Sequence, residues 1–74
     1  MRLKDIFDQQ WSGYARRRAW PIGKVCSFVD FDITSIRLNN IIEEDARIHV
    51  DDLSARDWTL CNKYGECYET NSNR

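Results

Sequence analysis

The run Lys24-Val25-Cys26-Ser27-Phe28-Val29-Asp30-Phe31-Asp32-Ile33-Thr34-Ser35-Ile36-Arg37-Leu38 reads as two strands joined by a short polar turn. Val25, Cys26, Phe28, Val29 and Phe31 are strand-forming residues, and Asp30 and Asp32 supply turn chemistry before residues 33–38 resume the pattern. An antiparallel hairpin is the simplest outcome, and it makes sheet the frame on which the rest of the chain must pack.

On the N-terminal side lies Tyr14-Ala15-Arg16-Arg17-Arg18-Ala19-Trp20, followed by Pro21-Ile22-Gly23. Tyr and Trp suit a pleated surface, and Pro21 pushes Trp20 into an extended conformation, so residues 14–20 read as a further strand. Before it, Leu3, Ile6, Phe7, Gln10 and Trp11 recur at the three-and-four spacing of one helix face. Ser12-Gly13 is the expected stop of that helix, because glycine enters the left-handed conformation without steric penalty. So short a helix must bury its stripe against the sheet.

On the C-terminal side, Asn39-Asn40 and Glu43-Glu44-Asp45 break the chain around Ile41-Ile42. Residues 46–50 alternate, with Ala46, Ile48 and Val50 on one side, and read as a strand. Asp51 or Asp52 is suited to cap one helical turn running through Leu53, Ser54, Ala55 and Arg56, since a carboxylate accepts the free N–H groups of a first turn. Trp58 and Leu60 then restart a two-residue period. From Tyr68 the sequence is polar and aperiodic, which predicts a frayed end. The expected fold is α+β: an N-terminal helix packed on a small antiparallel sheet of four to five strands, with one short helical turn before the last strand. Residues 1–61 make a single domain and residues 62–74 a polar tail.

With 74 residues there is room for one domain. A hydrophobic share of 42%, including three tryptophans, is enough for a core and excludes a disordered chain. A domain of this size buries only about 60% of its unfolded surface, so self-association is expected from length alone. The net charge of −1 excludes a general nucleic-acid binder, which needs excess Lys and Arg. The balance is uneven: residues 1–37 hold seven basic and four acidic side chains, residues 38–74 four and eight. No apolar run approaches the roughly 20 residues of a membrane span, and no signal-peptide core follows Met1. The expectation is a soluble, cytoplasmic protein.

Three cysteines cannot all pair within one chain, so reduced thiols are the default, although a Cys61–Cys67 link across Lys63-Tyr64-Gly65 is geometrically conceivable. Cys26, His49, Cys61 and Cys67 lack zinc-site spacing, and the acidic groups match no calcium loop, so no metal or other cofactor is expected. No catalytic residues are assigned, because His49 has no nucleophile or acid at a spacing that defines a triad. The suggestive feature is Arg16-Arg17-Arg18 running into Trp20. Guanidinium forks match phosphate oxygens, and an indole face stacks on a nucleobase. On a strand Arg16 and Arg18 face one side and Arg17 the other. The competing reading is a core tryptophan beside a solvated basic edge. Asp57, directly before Trp58, suits either a polar strand start or an acceptor for a ribose hydroxyl.

Taken together, residues 15–21, Ile36-Arg37-Leu38 and Asp52-Leu53-Ser54-Ala55-Arg56-Asp57-Trp58 resemble the small phage and prophage proteins of the Thoeris anti-defence 2-like domain family. The likeness runs from about Phe7 to Leu60. It implies a non-enzymatic protein that sequesters cyclic nucleotide immune signals of the cyclic ADP-ribose isomer type in the host bacterial cytoplasm. It also implies a homo-oligomer, dimer or tetramer, with ligand pockets between subunits. Carried onto this chain, Trp20 becomes the stacking residue, Arg18 or Arg16 a phosphate contact, and Asp57 with Trp58 the closing motif, Trp58 in the core. Longer members have a Pro-Trp segment before that motif where this chain has Arg47-Ile48-His49-Val50. Two other classes stay open: an inhibitor that engages a bacterial defence protein through its acidic second half, as anti-CRISPR proteins do, and a structural phage accessory protein.

Overall fold

Ala15 stands opposite Cys26 on one neighbouring strand and Leu60 on the other, and Cys26 stands opposite Ile36. Residues paired across strands project on the same face, so this row marks the side of the sheet that must be covered. The computed structural model describes residues 1–30 and 32–68. In chain order it contains α1 (Leu3–Asp8), β1 (Gly13–Arg17), β2 (Lys24–Val29), β3 (Asp32–Leu38), β4 (Ile41–Ile42), α2 (Val50–Ser54) and β5 (Trp58–Cys61). The strands form one antiparallel sheet in the order β4-β3-β2-β1-β5. The protein is therefore α+β, as the sequence predicts.

Leu3 and Ile6 of α1 are buried against Ala15, Cys26, Phe28, Ile36 and Trp58. Phe7 meets Phe28 edge-on with ring centroids 5.7 Å apart, and Phe28 meets Trp58 in the same way at 6.3 Å. The connection from β4 to β5 crosses this same face, because Ala46, Ile48 and Ala55 also pack on the cluster. β5 thereby reaches the far side of β1. Its Trp58 N–H donates to the Met1 carbonyl at 3.0 Å. Among the described residues no helix is long and apolar enough to cross a membrane.

Several boundaries differ from those expected. α1 stops at Asp8 rather than at Ser12-Gly13. Gln10 takes the left-handed conformation at φ 54°, the Gln10 N–H donates to the Phe7 carbonyl at 3.0 Å and the Trp11 N–H to the Ile6 carbonyl at 3.3 Å. This is the Schellman arrangement with glutamine at the position that usually takes glycine. β1 ends at Arg17, not Trp20, because the next residues turn: the Trp20 N–H donates to the Arg17 carbonyl at 3.0 Å. β2 and β3 form the expected hairpin; Phe31, expected to be strand-forming, lies outside the described residues. Asn39 and Asn40, with φ of 54° and 68°, make the two-residue turn into β4.

Residues 46–50, expected to be a strand, are not one: residues 46–49 are irregular and Val50 opens α2. Their alternation is nevertheless real, with Ala46 and Ile48 half-buried and Arg47 and His49 exposed. An extended segment lying across the core face needs that alternation whether or not it pairs with a neighbour. The cap of α2 is His49 rather than Asp51 or Asp52, which lie inside the helix. Asp52 still serves the helix start, because its carboxylate accepts the His49 N–H at 2.9 Å.

Residues 62–68 fold back on β5. Asn62 and Tyr68 donate N–H groups to the Glu66 and Leu60 carbonyls, each at 3.0 Å, and Tyr68 sets its ring edge-on to Trp11 at 6.2 Å. The frayed end expected from Tyr68 onward otherwise falls on residues 69–74, outside those described. Gly65 in this turn has φ 88°, and a Cβ there would stand 2.9 Å from the Gly23 nitrogen. Gly65→Ala combines a disfavoured φ with a clash against backbone. It should lower the denaturation midpoint by the equivalent of about 1–3 kcal/mol, read by urea unfolding followed through Trp fluorescence.

Candidate functional site

Arg17, the last residue of β1, projects on the core face opposite Trp58. Its guanidinium works as a fork: Nε donates to Asp57 Oδ1 at 2.8 Å and Nη1 to Asp52 Oδ1 at 2.7 Å. The second oxygen of each carboxylate is also used. Asp57 Oδ2 accepts the Ala19 N–H at 3.1 Å and Asp52 Oδ2 the His49 N–H. The Asp57 carbonyl accepts the Arg18 N–H at 3.0 Å, and the Asp52 carbonyl accepts the Trp58 indole N–H at 2.9 Å. One arginine thus ties the start of α2, the approach to β5 and the β1–β2 turn together.

The electrostatics follow from this geometry. The Arg17 hydrogen bond holds the Asp57 carboxyl below the ordinary aspartate range. Burial pushes the Asp52 carboxyl upward, but the bonds from Arg17 and the His49 N–H outweigh it and the net shift is also downward. Both groups are carboxylates at neutral pH, and each of their oxygens holds one partner within the protein.

Against this frame the four residues nominated from sequence separate. Asp57 supports the turn, with each carboxylate oxygen already accepting one hydrogen bond from within the protein. Arg16 projects on the opposite face from Arg17, as the alternation requires, but is only 6% exposed. Its Nη2 donates to the Trp20 carbonyl, and its Nη1 lies 4.0 Å from Cys67 Sγ. Arg18, expected beside Arg16 on one strand face, sits beyond the end of β1 and is exposed. Trp20 is half-buried, its ring edge-on to Trp58 with centroids 5.1 Å apart.

Lys24, not singled out from sequence, belongs with them: its ammonium stands 4.8 Å from the Trp20 ring centroid. The signal available was the four-residue separation of Trp20 and Lys24 across a Pro-Gly turn, which returns the chain on itself. This turn therefore offers a half-buried indole, a half-buried ammonium and the exposed Arg18 guanidinium. That set is able to meet an anion carrying a flat apolar group.

A second feature lies at the β3–β4 edge. An open groove of about 460 Å³ is lined by Ile33, Ile36, Ile42 and Ile48 together with Glu43 and Glu44. Ile41 and Ile42 of β4 are both exposed beside it. His49, the sole histidine, is exposed. Among the described residues no three His, Cys, Asp or Glu side chains are grouped as metal ligands. Compared with protein-family models, curated proteins and solved structures, the chain matches none.

Proposed function

We propose that the protein is a non-catalytic binding protein that captures a small phosphorylated nucleotide at the β1–β2 turn. The observation that carries this reading is the Lys24 ammonium over the Trp20 ring, with the exposed Arg18 in the same turn. The indole offers a stacking surface, and the two cations offer phosphate contacts. Arg16 and Asp57 act as supports that hold the turn in shape. The sequence resemblance narrows the ligand to the cyclic ADP-ribose isomer type and the setting to a phage or prophage protein acting in a bacterial cytoplasm. A cluster open to solvent on one side suits a pocket completed by a second copy, so the working form is a dimer or tetramer.

Native mass spectrometry with a panel of cyclic nucleotides and cyclic ADP-ribose isomers tests this reading. An oligomer that gains ligand mass is the expected result. Arg18→Glu and Lys24→Gln should each weaken binding by roughly tenfold or more, the exposed Arg18→Glu with the melting temperature nearly unchanged. Trp20→Phe, which keeps an aromatic ring against Trp58, is a better probe than Trp20→Ala. An oligomer that takes up no nucleotide overturns the reading.

One observation favours a second reading, a protein-interaction inhibitor of a bacterial defence complex. Between Asp30 and Ser54 there are seven carboxylates against two guanidiniums. The groove at the β3–β4 edge lies in this stretch beside the exposed Ile41 and Ile42. An acidic rim around an apolar groove is complementary to a basic protein segment with apolar anchors. Binding of such a partner, unaffected by nucleotide and lost in Glu43→Lys with Glu44→Lys, would replace nucleotide capture as the function.

A further inference from the structure

Cys61 closes β5, and Cys67 returns antiparallel beside it to form a bridge outside the five strands. The flanking hydrogen bonds decide what kind of pair this is. The Asn62 N–H donates to the Glu66 carbonyl and the Tyr68 N–H to the Leu60 carbonyl, each at 3.0 Å. The bonds lie outside the pair rather than within it, so Cys61 and Cys67 are a non-hydrogen-bonded pair. In such pairs the Cα atoms stand about 4.5 Å apart with side chains close on one face, inside the roughly 4.4–6.8 Å that a disulfide spans. Both sulfurs are free thiols here.

We propose that Cys61 and Cys67 are a redox couple, closed by an oxidising small-molecule disulfide into a cross-strand bond that fastens residues 62–68 to β5. The two thiols are unequal. Cys67 is exposed, while Cys61 is fully buried and its thiol is pushed up to about 12 by that burial. Cys67 therefore reacts first. Beside its sulfur lies the Arg16 guanidinium, at 4.0 Å, buried and with its Nε unpartnered. Reactive cysteines occupy such electropositive, accessible surroundings. Cys26 is excluded, because it is buried on the core face with Ala15, whereas Cys61 pairs with Tyr14 on the other face.

With glutathione disulfide as oxidant the chemistry balances. Cys67 gives up its proton and attacks one glutathione sulfur; that S–S bond breaks, and one glutathione leaves as a thiolate and is protonated. Cys61 then gives up its proton and attacks Cys67 Sγ, expelling the second glutathione, which is protonated in turn. Two protein thiols are oxidised to one disulfide and one glutathione disulfide is reduced to two thiols. The bond would brace more than its own loop, because the turn it closes rests on Gly23 through Gly65. None of this depends on what the β1–β2 turn binds.

The test is incubation of the intact protein with glutathione disulfide, followed by alkylation, intact-mass measurement and peptide mapping. The expected product is a monomeric chain lighter by two hydrogens, with a Cys61–Cys67 crosslink, Cys26 alkylated only after unfolding, and a raised melting temperature. Cys61→Ser should stall as a stable glutathione adduct on Cys67. A crosslink that includes Cys26, a Cys67–Cys67 link between chains, or a lasting glutathione adduct on the unaltered protein overturns the proposal, and so does the absence of any reaction.

Discussion

Trp58→Ala should unfold the chain at room temperature or leave it melting far below its parent. Trp58 is 2% exposed, packs edge-on to both Trp20 and Phe28, and anchors its indole N–H on the Asp52 carbonyl. Truncating a buried tryptophan removes its transfer free energy and leaves a cavity, at a cost of about 3–5 kcal/mol. A domain of 74 residues has a total stability of roughly 4–11 kcal/mol at ~0.05–0.15 kcal/mol per residue. The loss thus equals the whole stability at the lower end of that range and takes up to nearly half of it at the upper end. Trp58→Phe separates packing from hydrogen bonding. It keeps a ring between Trp20 and Phe28 but loses the indole bond to the Asp52 carbonyl, which still accepts the Ala55 N–H at 3.3 Å, for about 0.5–1.5 kcal/mol, and so should fold with a lowered melting temperature. Circular dichroism melts of the three proteins give the order, and a Trp58→Ala protein that melts like its parent would remove Trp58 from the core.

The centrality of Trp58 could be read in the sequence, and so could most of the architecture. Leu3 and Ile6 share one helix face at a spacing only a helix explains, and the β2–β3 hairpin announces itself through apolar runs on either side of Asp30 and Asp32. What failed was the inference from alternation to pairing at residues 46–50. Period-two burial records which face a side chain turns to, and an extended segment laid over a core obeys it without any strand beside it. The α1 stop failed for a local reason, since Gln10 bears the positive φ that the reading assigned to Gly13.

The candidate site was legible in part. Arg18 is exposed and Trp20 half-buried, whereas Arg16 and Asp57 already hold partners within the protein. Composition and spacing show which residues are able to bind a nucleotide, and give no sign of which are already bound. Asp52 and Asp57 lie 35 and 40 residues from Arg17 in the chain. No local pattern connects them until the sheet sets β5 beside β1. The run from Asp52 to Trp58 thereby acquires a physical meaning independent of any ligand, because its two aspartates and its tryptophan each hold a partner in this junction.

That junction makes the stability sensitive to acid in a way one substitution should abolish. Both carboxyls have folded-state pKa values below their unfolded ones. Groups of this kind stabilise the fold fully above the unfolded value, about 3.9 for aspartate, and lose that contribution as the pH falls through the folded values. The melting temperature should therefore be level near neutrality and drop steeply below about pH 4. Arg17→Ala removes the cation that both carboxylates face. Asp52, buried, is then left with a desolvation penalty that only the neutral His49 and Trp20 N–H donors offset. Protonation relieves a buried carboxylate of that penalty, so the pH response of Asp52 weakens or changes sign. The variant should melt well below the parent at pH 7, and the gap should narrow as the pH falls below about 4, where the unfolded carboxyls take up protons and the parent begins to lose the contribution of the fork. Added salt should narrow it less than acid does, because the Asp52 side chain is only 6% exposed and poorly screened. Parallel melting curves for the two proteins from pH 7 to 3 would show that Arg17 is an ordinary surface cation and that the fork contributes nothing.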